Sequence, residues 1–179
     1  ILGPGADERE VRALARQVFR NFSKYLVDFF RFSMIDETYM KRFVTIQGKE
    51  HLERAAGRGK GVILLSAHIG NWELGGAVVS FLGYPMSGVA LTHRHTKVNE
   101  FFTLQRRTGG VRSIEIGASL KTAYRLLRSN GILGLVGDRD FTRNGLAIPF
   151  FGRMARIPRG PAAFASRIGS AIVLGACPR

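Results

Sequence analysis

The sequence predicts an α/β fold: a central, mostly parallel sheet flanked by helices and preceded by a long amphipathic helix. Three observations predict it. Apolar residues recur at spacings of three and four across residues 7–33. After that stretch, short apolar runs alternate with amphipathic ones, the pattern of strand–helix–strand units that lie parallel in one sheet. The 179 residues, 45% of them hydrophobic, suffice to bury one core, so residues 1–179 are expected to form a single domain.

The first helix is read from Val11, Leu14, Ala15, Val18, Phe22, Leu26 and Phe29, which share one face. Arg9, Arg12, Arg16 and Arg20 follow the same spacing on another face, and Asp7, Glu8 and Glu10 suit the positive end of the helix dipole. A basic amphipathic helix can lie on an anionic membrane, but packing of its apolar face on its own domain is the expected outcome. Strands are expected at Phe43–Gln47, Gly61–Ser66, Met86–Leu91, Arg112–Ile116, Ile132–Val136, Leu146–Phe151 and Ala171–Leu174. Helices are expected at Glu73–Leu82, Val98–Arg107, Leu120–Arg128 and Pro161–Arg167. In such sheets ligands bind at the carboxyl ends of strands. That directs attention to Ser66–Asn71, Leu91–His95 and Gly137–Asp140.

The bulk composition narrows the partners. The net charge is +14, with 14 Lys/Arg against 9 Asp/Glu in residues 1–99 and 13 against 4 in residues 100–179. An anionic partner follows: nucleic acid, anionic lipid, a phosphorylated sugar or an acidic carrier protein. The single cysteine, Cys177, excludes an internal disulfide framework and a cysteine-based metal site. No run of 18 apolar residues is present to span a bilayer. The chain begins at Ile1 and ends just after an apolar run, which reads as a piece of a longer protein.

The expected strand ending at Ser66 runs into Ala67-His68-Ile69-Gly70-Asn71-Trp72-Glu73. On one helix a five-residue offset rotates by about 140°, so His68 and Glu73 cannot share a helix face. They can meet if His68 ends the loop and Asn71, a good N-cap residue, starts the helix. Glu73 would then hold the imidazole in one tautomer while the other ring nitrogen takes a proton, making a general-base dyad. Gly70 would let the chain turn and leave room for substrate. A strand-end histidine and a solvated first-turn carboxylate satisfy the same residues equally well. No Gly-x-Ser-x-Gly nucleophile elbow occurs, so a base here favours direct attack by a substrate hydroxyl. His93 and His95 leave metal hydrolysis with Asp138 or Asp140 as a minor rival, set against by the neighbouring cations. Asp138 and Asp140 flank Arg139 and can bind a polar headgroup or brace arginines. Phe150-Phe151-Gly152, with Met154 and Ile157, can line an acyl channel or form a core strand.

Taken in order, these segments resemble the bacterial lipid A biosynthesis acyltransferases, the lauroyl/myristoyl transferase branch of the lysophospholipid acyltransferase superfamily. The resemblance runs from Val27-Asp28-Phe29-Phe30-Arg31 through Leu65–Glu73, the Leu120–Gly131 helix, Gly137-Asp138-Arg139-Asp140 and Pro149-Phe150-Phe151-Gly152 to Pro161–Ala171. It implies a glycerol-3-phosphate-acyltransferase-like fold and O-acyl transfer to a lipid A precursor or related glycolipid. It implies His68 as base with Glu73 as its partner. Arg107, two residues before Gly109, resembles the family's active-site arginine, with Arg106 the alternative. Gly70, Asn71, Arg94, Arg106, Asp138, Arg139, Asp140, Phe151 and Gly152 become the substrate-binding candidates. Two departures stand out. The family's acidic strand-end motif often has Gln or His where Arg139 stands, and Thr92–Asn99, which holds Arg94, matches its Arg/Asn-containing segment poorly. The resemblance further implies no metal or resident cofactor, an acyl-carrier-protein or CoA thioester as donor, and the cytoplasmic face of a bacterial inner membrane. Another acceptor, such as a phosphatidylinositol mannoside or amino lipid, remains open. So does a non-catalytic basic lipid- or nucleic-acid-binding protein, although no nucleic-acid-binding signature accompanies the charge.

Overall fold

The computed structural model describes residue 3 and residues 5–116, 120–141 and 144–178. Five strands make one parallel sheet: β1 (Val62–Ser66), β2 (Met86–Ala90), β3 (Arg112–Glu115), β4 (Ile132–Val136) and β7 (Ala171–Leu174), in the order β3-β2-β4-β1-β7. A separate antiparallel hairpin joins β5 (Leu146–Phe150) to β6 (Arg153–Ile157). Among the described residues seven α-helices accompany the strands: α1 (Glu8–Phe30), α2 (Glu37–Phe43), α3 (Lys49–Ala56), α4 (Trp72–Phe81), α5 (Thr96–Thr108), α6 (Leu120–Arg128) and α7 (Gly160–Ile168).

Strand side chains alternate between faces, so each apolar run feeds two cores. Val62, Met86 and Ile132 turn to one face and pack with Leu52 and Ala55 of α3. Ile63 and Leu133 turn to the other and pack with Ala123 and Leu127 of α6 and Phe164 of α7. A strand buried on both sides has no polar face to show, which is why β1 and β4 read as continuous apolar runs. A third cluster joins Phe29, Phe32 and Ala77, and so fastens the end of α1 and the 3₁₀ turn at Phe32–Met34 to α4.

Three expectations change. Phe43–Gln47 is not a strand; Phe43 ends α2, whose N-cap Asp36 accepts the Tyr39 N–H at 2.7 Å. The local cap and the Lys41 and Arg42 side chains in the last turn outweigh the β preference of a few apolar residues. Helix α3 lies in a polar stretch for which no element was expected. The apolar face of α1 also does not pack along its length. Every residue from Asp7 to Lys24 is exposed, and only Tyr25 and Phe29 of α1 are buried.

Asn71 links fold and site. It is 2% exposed, caps α4 by accepting the Leu74 N–H at 3.1 Å, and donates to Asp28 of α1 at 3.0 Å. Asn71→Ala should lower unfolding stability by about 1–2 kcal/mol in urea titrations, from loss of the cap and of the link to α1.

Candidate active site

The parallel register aligns Ser66 of β1 with Val136 of β4. The Gly137 N–H continues the ladder to the Ser66 carbonyl at 2.8 Å. Two residues beyond each strand end come His68 and Asp138, so equal offsets from a shared register bring them side by side. His68 Nδ1 and Asp138 Oδ1 are 2.7 Å apart. Burial pushes the Asp138 carboxyl up, but hydrogen bonds from the His68 ring and from the His68 and Asp138 backbone N–H groups outweigh it, and the group is held below the usual carboxylate range. An ionised Asp138 must accept, so Nδ1 donates and Nε2 keeps its lone pair free to take a proton.

The expected His68–Glu73 dyad is therefore not what the chain builds. Glu73 lies in the first turn of α4 and turns to Arg106 in the last turn of α5. Arg106 Nε donates to both Glu73 oxygens at 3.0 Å and Nη2 donates to Oε1 at 2.6 Å. Both side chains are only 12% exposed. The planar guanidinium of Arg106, two residues before the end of α5, matches a carboxylate fork better than an imidazole does, and a nearly buried carboxylate requires a cation.

Aromatic rings hold His68 from the other side. Its ring meets Trp72 edge-on at 4.7 Å, and Trp72 stacks on Tyr25 of α1 at 5.0 Å. The Tyr25 hydroxyl is pushed above its usual range by burial first and by the Glu73 charge second, so it stays protonated. The end of α1 is thus built into the wall of the site through Tyr25, Asp28 and Phe29.

His68, Trp72, Glu73 and Arg106 line a cavity of about 980 Å³, whose lining also includes Leu64, Val79 and Met86. Its lining is mostly apolar, with Ser66, Glu73, Arg106 and Asp140 among the polar groups, the make-up of a site for an apolar ligand with a polar end.

The other expected site residues divide. Arg106 lines the cavity, whereas its neighbour Arg107 is exposed and outside the lining, so Arg106 is the arginine the structure brings to the site. Arg139 and Asp140 line the mouth; Arg139 lies 5.1 Å from the Phe141 ring centre, and Asp140 accepts the Gly145 N–H at 2.7 Å. Asn71 is buried in its capping role and does not line the cavity. Gly70 has φ +66°, and the space where a Cβ would project is filled by the Cys177 carbonyl, with which Gly70 forms a β-bridge. That room goes to the 177–178 segment rather than to substrate. Arg94 is exposed away from the lining. Phe151 and Gly152 sit at the tip of the β5–β6 hairpin, where Phe151 is 92% exposed; they line no channel, because the hairpin stands off both cores. Among the described residues no group of three or more His, Cys, Asp or Glu side chains is arranged to hold a metal.

Sequence spacing missed Asp138 as the partner of His68, and missed Tyr25 and Trp72. The equal two-residue offsets from Ser66 and Val136 carried the signal, but only to a reader who knew that β1 and β4 are neighbours.

An imidazole polarised by a carboxylate over a deep apolar cavity is equipped to deprotonate a hydroxyl beside an aliphatic chain. The chain belongs to the bacterial lipid A biosynthesis acyltransferase family, whose description matches residues 2–179. Its relatives include the phosphatidylinositol mannoside acyltransferase of Mycobacterium tuberculosis, 27% identical over 163 residues, 88% of this chain and 52% of the relative. The phosphatidylinositol mannoside acyltransferase of Mycolicibacterium smegmatis is 26% identical over 163 residues, 89% of this chain and 54% of the relative. The chain thus spans about half the length of these relatives.

Removing one partner of the Glu73–Arg106 pair leaves a poorly solvated charge. Glu73→Ala and Arg106→Ala should each cost about 3 kcal/mol in denaturant unfolding, and the double mutant less than their sum.

Proposed function

We propose that the protein is an O-acyltransferase that moves a fatty acyl chain from a thioester to a hydroxyl of a glycolipid at a membrane surface. The observation that carries this reading is His68, with Nδ1 engaged by Asp138 and the ring at the mouth of the apolar cavity. Nε2 takes the proton of the acceptor hydroxyl. That oxygen attacks the thioester carbonyl, forming the C–O bond; the C–S bond breaks, and the proton passes to the leaving sulfur as the carrier thiol. Asp138 orients the ring and offsets the imidazolium charge. Arg106, fixed by Glu73, brings a positive charge near the developing oxyanion. Glu73 then acts by positioning Arg106 rather than by touching His68.

The donor is an acyl-carrier protein or CoA thioester, either of which suits a chain of charge +14. For the acceptor, the relatives favour a phosphatidylinositol mannoside or similar lipid over a lipid A precursor. Arg139 at the mouth is placed to meet an anionic headgroup. Membrane contact is assigned to the exposed Val11, Leu14, Val18 and Phe22 face of α1 and to the Phe150-Phe151 tip. No helix among the described residues is long and apolar enough to cross a membrane, and an interfacial helix needs no such length. We assign the protein to the cytoplasmic face of the bacterial inner membrane, where both thioester donors are present.

With purified protein, acyl-CoA or acyl-carrier protein, and vesicles containing phosphatidylinositol mannoside, His68→Ala should lower kcat roughly 10²–10⁴-fold and Asp138→Asn at least about 10²-fold, with the fold intact by circular dichroism. Full turnover in either variant would sink the mechanism. Mass spectrometry of lipids from a strain lacking the protein should show loss of one acyl chain from a mannosylated lipid; loss from a lipid A precursor would reassign the acceptor. Phe151→Asp should weaken sedimentation with anionic vesicles about tenfold, from the apolar area no longer buried.

A further inference from the structure

Tyr25 of α1 is only 7% exposed, and other rings hold it. It stacks on Phe22 at 5.5 Å, on Phe29 at 6.1 Å and on Trp72 at 5.0 Å between ring centres. A phenylalanine would make every one of these contacts. The hydroxyl is what needs a reason, because a buried phenol usually finds a hydrogen-bond partner and costs stability without one. Among the described residues the Tyr25 hydroxyl has no such partner, yet Ser113 Oγ is the one partnerless side-chain oxygen or nitrogen shut off from solvent. The Tyr25 hydroxyl therefore keeps an opening. The opening is the cavity, which Tyr25 lines together with His68, Trp72, Glu73 and Arg106.

The nearby charges do not use it. Glu73 takes its hydrogen bonds from Arg106, on both oxygens, and Arg106 commits Nε and Nη2 to them. The Glu73 and Arg106 charges both act on the phenol, and burial first and Glu73 second keep its proton in place. What results is a neutral donor, fixed by three rings, that faces a largely apolar space beside the base. A donor fixed in advance stabilises charge that develops during a reaction without having to reorganise. Donation to the attacking acceptor oxygen would withdraw electron density from it and slow the attack. Donation helps at the oxygen that gains charge, which is the thioester carbonyl oxygen.

We propose that Tyr25 is a further catalytic residue, whose hydroxyl donates a hydrogen bond to the thioester carbonyl oxygen while His68 Nε2 takes the proton of the acceptor hydroxyl. The proposal rests on the acyltransferase reading above and deepens it. As the C–O bond forms, the carbonyl π electrons pass to that oxygen; as the C–S bond breaks, they return. Tyr25 keeps its proton throughout, so the proton still travels from the acceptor hydroxyl through His68 to the leaving sulfur. Arg106 adds positive charge to the same site.

The experiment is Tyr25→Phe in the full-length protein, assayed with acyl-CoA or acyl-carrier protein thioesters and vesicles containing phosphatidylinositol mannoside. Every ring contact is kept and only the donor is lost. The kcat should fall roughly 10²-fold, while KM for donor and for acceptor each change less than about twofold. The urea midpoint should not fall, since the hydroxyl removed has no partner within the fold. An undiminished kcat overturns the proposal. So does a raised KM with kcat unchanged, which would place the hydroxyl on a ground-state substrate group. A lowered urea midpoint overturns it too, because the hydroxyl would then be structural. These outcomes, in a wild-type protein that transfers acyl chains, leave the acyltransferase reading standing; a wild type that transfers none from either donor overturns that reading and the Tyr25 assignment with it.

Discussion

The pairing of β1 with β4 is the constraint on which the rest of the site depends. The strands are parallel and in register, Ser66 against Val136, so whatever follows each strand by the same number of residues meets at the same height. His68 and Asp138 are separated by 70 residues and meet for that reason alone. Helix N-termini and strand carboxyl ends converge on the same edge in a parallel α/β sheet, which supplies a cap at Asn71, a carboxylate at Asp138 and an open cavity mouth together.

Around that edge the charges are sorted by geometry. The imidazole needs one acceptor and takes the one fixed by the neighbouring strand. The Glu73 carboxylate, nearly removed from water, needs a cation with matching fork geometry and takes Arg106 from the facing helix. Exchanging the partners would leave Arg106 without its counter-charge in a poorly solvated place. The two pairs are therefore a joint solution rather than two independent contacts. Tyr25, Trp72 and Asp28 extend it to α1, so the helix that presents an apolar face outward is joined to the His68 ring.

Exposed apolar side chains include a stripe along α1 and the tip of the β5–β6 hairpin. A stripe of exposed Val11, Leu14, Val18 and Phe22, edged by arginines, has the composition of an interfacial helix. The Phe151 ring, 92% exposed at a positive φ of 49°, is held out by the hairpin turn rather than folded back.

Much of the fold was legible from periodicity. The apolar runs of β1 and β4, the long α1 and the Gly131 stop after α6 are local patterns with local causes, so the α/β class and most element boundaries follow from them. His68 was legible as a candidate from its place just past a buried strand, and the family resemblance, not its spacing, singled it out. Its partner was not. Glu73 was the nearest carboxylate in the chain, and spacing favours near neighbours. Likewise Arg107 and Arg106 are indistinguishable by position along the chain, and only the packing of α5 against α4 turns Arg106 inward. Whether α1 covers its own apolar stripe is also invisible to periodicity, since a buried and an exposed amphipathic helix share one pattern. The sequence by itself determined the α/β class, most of the elements, the strand-end position of His68 and the basic character of the chain, all set by residues close together in the chain. Only the tertiary structure decided which carboxylate meets His68, which arginine meets Glu73 and which residues line the cavity, because each depends on strand order, register and packing between segments far apart.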